Sequence, residues 1–449
     1  MSKQRIQLSD HFTYSRLLRF VLPCIGTMLF TSIYGIVDGL CVSNFVGKTA
    51  FAAVNLIMPL PMLLGTIGFM LGTGGSAIVG ITLGEGDQKK ADRYFTLFLL
   101  AALVSVSVLA VLGIVFLRPV AVLLGAKGEL LDYAVRYGRI LMLALPGFAL
   151  QNLFQSFFVT AEKPHLGFWF TVGAGCTNMV LDVIMVGMLH WGVEGAAIAT
   201  LISQLVGGVL PVFYFISHNN TSCLHLCRTQ FYGRVLWDAC INGSSELMTS
   251  LSMSLVNILY NYQLLRLAGE NGVAAYGVIM YAAFLFVAVF VGYAVGSAPI
   301  VSFHYGARNH AEVHNLYQKS LRLIAVVAVT LTLASMFIIP CVARIFVGYD
   351  AELLALTSRA FRLYALSFLI MGFNVYASSF FTALGDGVTS ALISFLRTLA
   401  FQVIAILLLP MLLGIDGIWL AVTAAELAAL AVSAAMLLTK DKVFHYRKA

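Results

Sequence analysis

A chain of 449 residues would normally divide into about three soluble domains, but 60% of this one is hydrophobic, only 10% is charged, and its mean hydropathy is +0.92. Soluble domains carry about 25% charged residues, so aqueous multidomain enzymes, disordered scaffolds and secreted disulfide frameworks are excluded. The net charge of +7 is no nucleic-acid footprint, because Lys and Arg stand in short loops between apolar runs and form no basic stripe.

The chain opens on MSKQRIQLSDHFTYSRLLRF, which lacks a short apolar core with a small-residue cleavage site and reads as a retained, cytosolic amphipathic lead-in. Twelve apolar runs follow, near 20–42, 50–80, 94–117, 133–160, 165–188, 195–217, 235–265, 272–303, 319–345, 359–384, 389–413 and 416–439. Each is long enough to cross a hydrocarbon core of about 30 Å as a helix, and their continuous apolarity excludes barrel strands. The expected fold is an all-α polytopic membrane protein with twelve transmembrane helices in two parallel six-helix repeats. Its parts are an N-terminal lobe 1–217, a cytoplasmic linker 218–234, a C-terminal lobe 235–439 and a cytoplasmic tail 440–449. The seven Cys residues are scattered, apart from Cys223 and Cys227 in the linker, and are expected as reduced thiols.

Basic residues favour the cytoplasmic side of membrane helices. With both termini inside, seventeen of the 27 Lys and Arg fall on the inner side, nine on the outer side, and Arg397 within a span. Both ends are therefore expected in the cytoplasm of a cell-membrane protein. The chain also resembles itself at a spacing of about 222. Gly75-Ser76-Ala77 and Gly84 answer Gly296-Ser297-Ala298 and Gly306; Glu194-Gly195 answers Asp416-Gly417; Phe157-Phe158 answers Phe380-Phe381. An even number of spans per repeat makes the two halves enter from the same side, an arrangement found among secondary transporters.

Four acids, Asp38, Asp182, Glu246 and Glu426, fall within spans, where an ionisable group costs at least about 2.5–3.5 kcal/mol and needs a partner or a purpose. At 1.5 Å per residue, Asp38 lies about 27 Å up the first span and Asp182 about 26 Å up the fifth. Thr200 lies about 8 Å below the outer start of the sixth. These three share an outer layer, and Tyr34 and Asn178 each precede an acid by four residues, on the same helix face. Carboxylates, amide, hydroxyl and phenol all offer oxygen, which suits a monovalent cation or a shared proton. Alternatively, Asp38 is a wetted helix end, and Asn178 with Asp182 a polar pair gluing helices together.

Glu246 and Glu426 lie deeper, about 16 Å and 15 Å into their spans. A Glu246 facing a central cavity would attract organic cations, with Met280, Tyr281 and Phe284 lining the same space through adaptable and cation–π contacts; ordinary helix packing is the competing account. Arg397 either ties to Glu426 as a structural ion pair or snorkels to the inner interface. His218, Cys223, His225 and Cys227 offer a loose metal-binding option in the linker. No HExxH, phosphate-binding GxxxxGK[ST] or GxSxG motif is present, so no enzyme and no ATP-driven pump is expected.

At these residues the sequence resembles the multidrug and toxic compound extrusion (MATE) family, in its bacterial branch of DNA-damage-inducible and staphylococcal-type exporters. The motifs are Tyr34-Gly-Ile-Val-Asp38-Gly, Val46-Gly47, Ala52-Ala53-Val54-Asn55, Asn178-x3-Asp182, Gly195-Ala-Ala-Ile-Ala-Thr200 and Ala425-Glu426. The resemblance implies a V-shaped two-lobe transporter working by rocker-switch alternation. It implies secondary active efflux of cationic or amphipathic drugs in antiport with Na+ or H+, and hence a contribution to antibiotic resistance. Carried over residue by residue, Tyr34, Asp38, Asn178, Asp182 and Thr200 match the family's cation-coupling site, and Gln155 lies near a family asparagine. Asn55, Gln155, Glu246, Met280, Tyr281 and Phe284 are expected around the substrate cavity. The family often carries Arg before Ala161-Glu162, where this chain has Thr160.

No cofactor is expected beyond the coupling ion, no nucleic acid partner, and no metal beyond Na+ at the coupling site; partners are small organic cations and the bilayer, and the default state is a monomer. The nearest alternative is a flippase for a lipid-linked saccharide in the same broad superfamily, and a more distant one is a channel. A flippase would line its cavity with cations for pyrophosphate, whereas here Arg397 is the only deep Lys or Arg.

Overall fold

The computed structural model describes residues 6–447 apart from 46–47, 218–220 and 349. Its N-terminal half holds α1 (Tyr14–Phe45), α2 (Lys48–Ile57), α3 (Pro59–Gly84), α4 (Gln88–Leu123), α5 (Glu129–Thr160), α6 (Pro164–Asp182) and α7 (Gly192–Ile216). Its C-terminal half holds α8 (Gly233–Asn242), α9 (Ser244–Gly306), α10 (His310–Val347), α11 (Ala351–Ala365), α12 (Phe368–Ala383), α13 (Gly387–Phe395), α14 (Phe401–Leu413), α15 (Ile415–Thr439) and α16 (Asp441–Phe444). No strand occurs among the described residues. A π-turn, Val183–Met188, continues α6, and a second, Leu396–Ala400, joins α13 to α14.

Among the described residues ten helices are long and apolar enough to cross a membrane, and the pair α11–α12, bent by 46°, makes an eleventh if it is one span. One of the ten, α9, has 63 residues and would run about 95 Å if straight. It breaks at Gly269, whose φ of 61° and ψ of −149° suit a residue without Cβ, and so crosses twice. Twelve crossings result. Three expected spans are interrupted. The second bends at Met58–Pro59, where proline starts α3 without an N–H to donate. The seventh breaks at Gly243 between α8 and α9, and the tenth at Leu366–Ser367.

The two halves reuse one set of local devices. Asp87 Oδ1 caps α4 by accepting from Lys90 N at 3.0 Å, and Asn309 Oδ1 caps α10 from Glu312 N at 3.1 Å. Gly192 and Gly414 turn the chain at φ 61° and 59° before α7 and α15. On that same side Arg136 pairs with Glu194 at 3.5 Å, and Arg359 with Asp416. After α7 the linker folds back onto α4, with His225 N donating to Asp92 Oδ1 at 3.0 Å and Leu224 fully buried. After α15 the tail folds back onto α10, with Tyr446 O 2.8 Å from His314 Nδ1 and Tyr446 fully buried.

The halves meet on the side of the N-terminus. A Cβ added at Gly243 would fall 1.9 Å from the Met70 carbonyl oxygen, and one at Gly84 2.0 Å from that of Phe303, so helix backbones touch there. Asn242 Nδ2 donates to Gly74 O at 3.4 Å and to Thr382 O at 2.9 Å. The segment before α1 and the first part of α1 cross between halves: Leu8, Phe12, Leu17, Phe20, Val21 and Cys24 share a buried cluster with residues of α9, α10 and α12. Its later part packs on α6, where Gly175 makes room for Phe30 and Tyr34.

Candidate functional site

Asp38 stands near the end of α1 and Asp182 at the end of α6, just before the π-turn. Such wide turns break the regular bond ladder and are frequent at functional sites. The two carboxyl groups lie within hydrogen-bonding range of each other. Asn178, one turn earlier on α6, is 2% exposed, and Asp182 is 1% exposed. Among the described residues, four of the cluster's buried oxygens, Asp38 Oδ1, Asn178 Oδ1, Asp182 Oδ1 and Asp182 Oδ2, find no hydrogen-bond donor. Unmade bonds at buried polar atoms are costly and rare. Two carboxylates side by side cannot satisfy each other unless a proton or a cation stands between them.

Tyr34 lies within electrostatic reach of Asp38. A second phenol, Tyr137 of α5, lies within reach of both acids and is 2% exposed; its hydroxyl is also 3.9 Å from Met58 Sδ. Sequence reading missed Tyr137. The available signal was depth, since four residues below the outer start of the fourth run is about 6 Å, the layer of Thr200. Thr200 is half-buried on α7 and donates to Ala196 O at 3.0 Å, which leaves its oxygen able to accept.

The second polar centre lies in the C-terminal half. Arg397, on the π-turn, puts Nη1 3.8 Å from Glu426 Oε1 of α15. Asn374 Nδ2 of α12 donates to Glu426 Oε2 at 2.7 Å and to Glu426 O at 2.9 Å, and Ser433 Oγ donates to Asn374 Oδ1 at 2.9 Å. Glu246 lies within electrostatic reach of the same guanidinium. The structure therefore brings Glu246, Arg397 and Glu426 into one group. Asn374 was not singled out by sequence reading; a lone amide in an apolar run was its only mark.

The other expected cavity residues are dispersed. Met280 packs half-buried against the C-terminal core, while Tyr281 and Phe284 are each 46% exposed. Asn55 is exposed on α2. Gln155 lines a crevice with Cys24, Thr27 and Met28, and lies about 27 Å along α5 from Tyr137, so it does not join the Asp38–Asp182 cluster. The linker metal option gains no support: among the described residues no group of three or more His, Cys, Asp or Glu is placed to hold a metal. The linker's polar groups are committed to α4 and α5 instead, with Cys227 N donating to Thr96 Oγ1 at 3.1 Å and Cys223 Sγ 3.4 Å from Thr160 O. His218 and the motif residues Val46 and Gly47 lie outside the described residues.

Fold and site together define a multi-pass membrane protein of two helical halves with acids buried in each. The MatE family model matches residues 23–184 and again 247–408, and the chain belongs to the MatE family, whose members are transporters and not enzymes. Multidrug export protein MepA of Staphylococcus haemolyticus is 22% identical over 86% of this chain and 84% of its own length. MepA of Staphylococcus aureus (strain MSSA476) is 22% identical over 96% of this chain and 95% of its own. Among solved structures, a crystal structure of MATE in complex with MaL6 superposes with TM-score 0.91, at 22% identity and 100% coverage of both chains. The outward-facing conformation of a multidrug resistance MATE family transporter of the MOP superfamily gives the same values.

Proposed function

We propose that the chain is a secondary active multidrug exporter that expels cationic or amphipathic organic compounds in exchange for Na+ or H+. The observation that carries the coupling is the cluster of undonated buried oxygens on Asp38, Asn178 and Asp182. With both acids bare, like charges face each other away from bulk water, which is costly. A proton or Na+ between them removes that cost, so ion occupancy biases the equilibrium between two conformations. Helix α1 is the element able to transmit the change, because one part of it packs in the C-terminal half and the other carries Asp38 against α6.

The lobes touch on the side of the N-terminus, and that side is the cytoplasmic one if the basic-residue bias sets the orientation. We read the opposite, outer side as the open one, and Glu246 stands one turn beyond the Gly243–Met70 contact. Export by the related MepA proteins supports drugs as cargo. A pyrophosphate-bearing lipid is disfavoured because the deep cation, Arg397, already faces two carboxylates. The chain works as a monomer in the cell membrane. The test is dye efflux from everted vesicles under separately imposed sodium and pH gradients. Asp38→Asn and Asp182→Asn should each abolish gradient-driven efflux while inserting normally; undiminished efflux in either variant refutes the coupling site.

A further inference from the structure

Arg397 is held between two acids without being consumed by either. Its Nη1 is 3.8 Å from Glu426 Oε1, beyond hydrogen-bonding distance, and that nitrogen has no hydrogen-bond partner. Glu426 is already satisfied by Asn374 and is 1% exposed. Glu246 is only half-buried and lies on the first turn of α9, beside the contact of Gly243 with Met70 in the other lobe. Phenols also stand nearby, Tyr364 within reach of Arg397 and Glu426 and Tyr276 within reach of Tyr364, and these carry no charge at neutral pH. Two carboxylates and one guanidinium leave a single formal negative charge, and Glu246 is the acid of the pair that keeps some exposure and stands beside the contact between the lobes.

We propose that Arg397 is a specificity-determining residue: it cancels one of the two C-lobe acids and so matches the cleft to organic monocations over dications. The proposal rests on the drug-export reading above and deepens it. A monocation beside Glu246 neutralises the group. A dication would leave an uncompensated positive charge next to a buried guanidinium, the kind of like-charge juxtaposition by which interfaces reject wrong partners.

Ethidium and propidium test this, since they share one ring system and differ by a second quaternary charge. Their binding to the purified full chain in detergent is read by fluorescence at alkaline pH, and the readout is the ratio of the two affinities. Wild type should favour ethidium. Arg397→Met should move the ratio at least tenfold toward propidium, and Arg397→Lys should keep the wild-type ratio. Because Arg397→Met leaves Glu426 unpaired, the double variant Arg397→Met with Glu426→Gln provides a second measurement. It restores one net negative charge and should restore the wild-type ratio. A ratio within twofold of wild type in folded Arg397→Met, or a double variant that prefers propidium, overturns the proposal while leaving drug export intact. Failure of wild type to bind either dye overturns the drug-export reading itself.

Discussion

The two lobes share their frame and differ in their middle. At a spacing of 222, Asn374, Arg397 and Glu426 of the C-terminal lobe fall opposite Asn152, Gly175 and Gln204 of the N-terminal lobe, in stretches of the two lobes that the repeat pairs. Where the C-lobe places a guanidinium, the N-lobe has a glycine against which Phe30 and Tyr34 of α1 pack. The acids of the N-lobe, Asp38 and Asp182, therefore face each other, whereas those of the C-lobe share Arg397. Among the described residues one centre is two acids with no cation beside them, which under the proposed coupling would respond to an ion; the other carries Arg397 as its own counter-ion. Similar caps and turns thus frame two different polar centres in the two halves.

Stability measurements can break that comparison. Arg397→Met should cost about 3–5 kcal/mol in a melt of the detergent-solubilised protein, because it strands buried carboxylates. Asp182→Asn should cost nothing or stabilise, since it removes a like-charge contact. Equal losses in both variants would erase the distinction between the lobes.

The linker and the tail sharpen the comparison at the next level. Leu224 and Tyr446 plug equivalent ends of the two lobes, and both are fully buried. Leu224→Ala and Tyr446→Ala should each lower stability by about 2–5 kcal/mol, as measured by the same melt; an unaffected Tyr446→Ala would make the tail's docking incidental. Gly243→Ala comes next, at about 1–3 kcal/mol for an overpacked contact, because its new methyl group meets the Met70 carbonyl. Crosslinking between the lobes should report a looser N-terminal side in that variant. The smallest effects belong to the paired surface bridges. Arg136→Gln should change stability by less than about 1 kcal/mol, given that both partners are about half exposed or more. Arg359→Gln should exceed it, since Asp416 is only 27% exposed.

Much of this was legible in the residues, for identifiable reasons. Spans could be read because crossing lipid demands long uninterrupted apolarity, and the depth of Asp38 and Asp182 followed from a fixed rise per residue. The spacing of the linker's Cys and His residues says nothing of acceptors elsewhere; Asp92 and Thr96 on α4 accept from the backbone N–H groups of His225 and Cys227. Tyr137 escaped notice because a phenol in an apolar run looks like ordinary core until its neighbours are known.

Composition and periodicity alone determined that this chain lives in a bilayer, crosses it twelve times and repeats itself, because the solvent imposes those constraints locally on every span. Tertiary structure alone decided which charges meet. Whether a buried acid faces another acid or a guanidinium depends on how helices far apart in the chain rotate against one another, and a rotation of one helix position leaves the hydrophobic pattern almost unchanged while exchanging the partner.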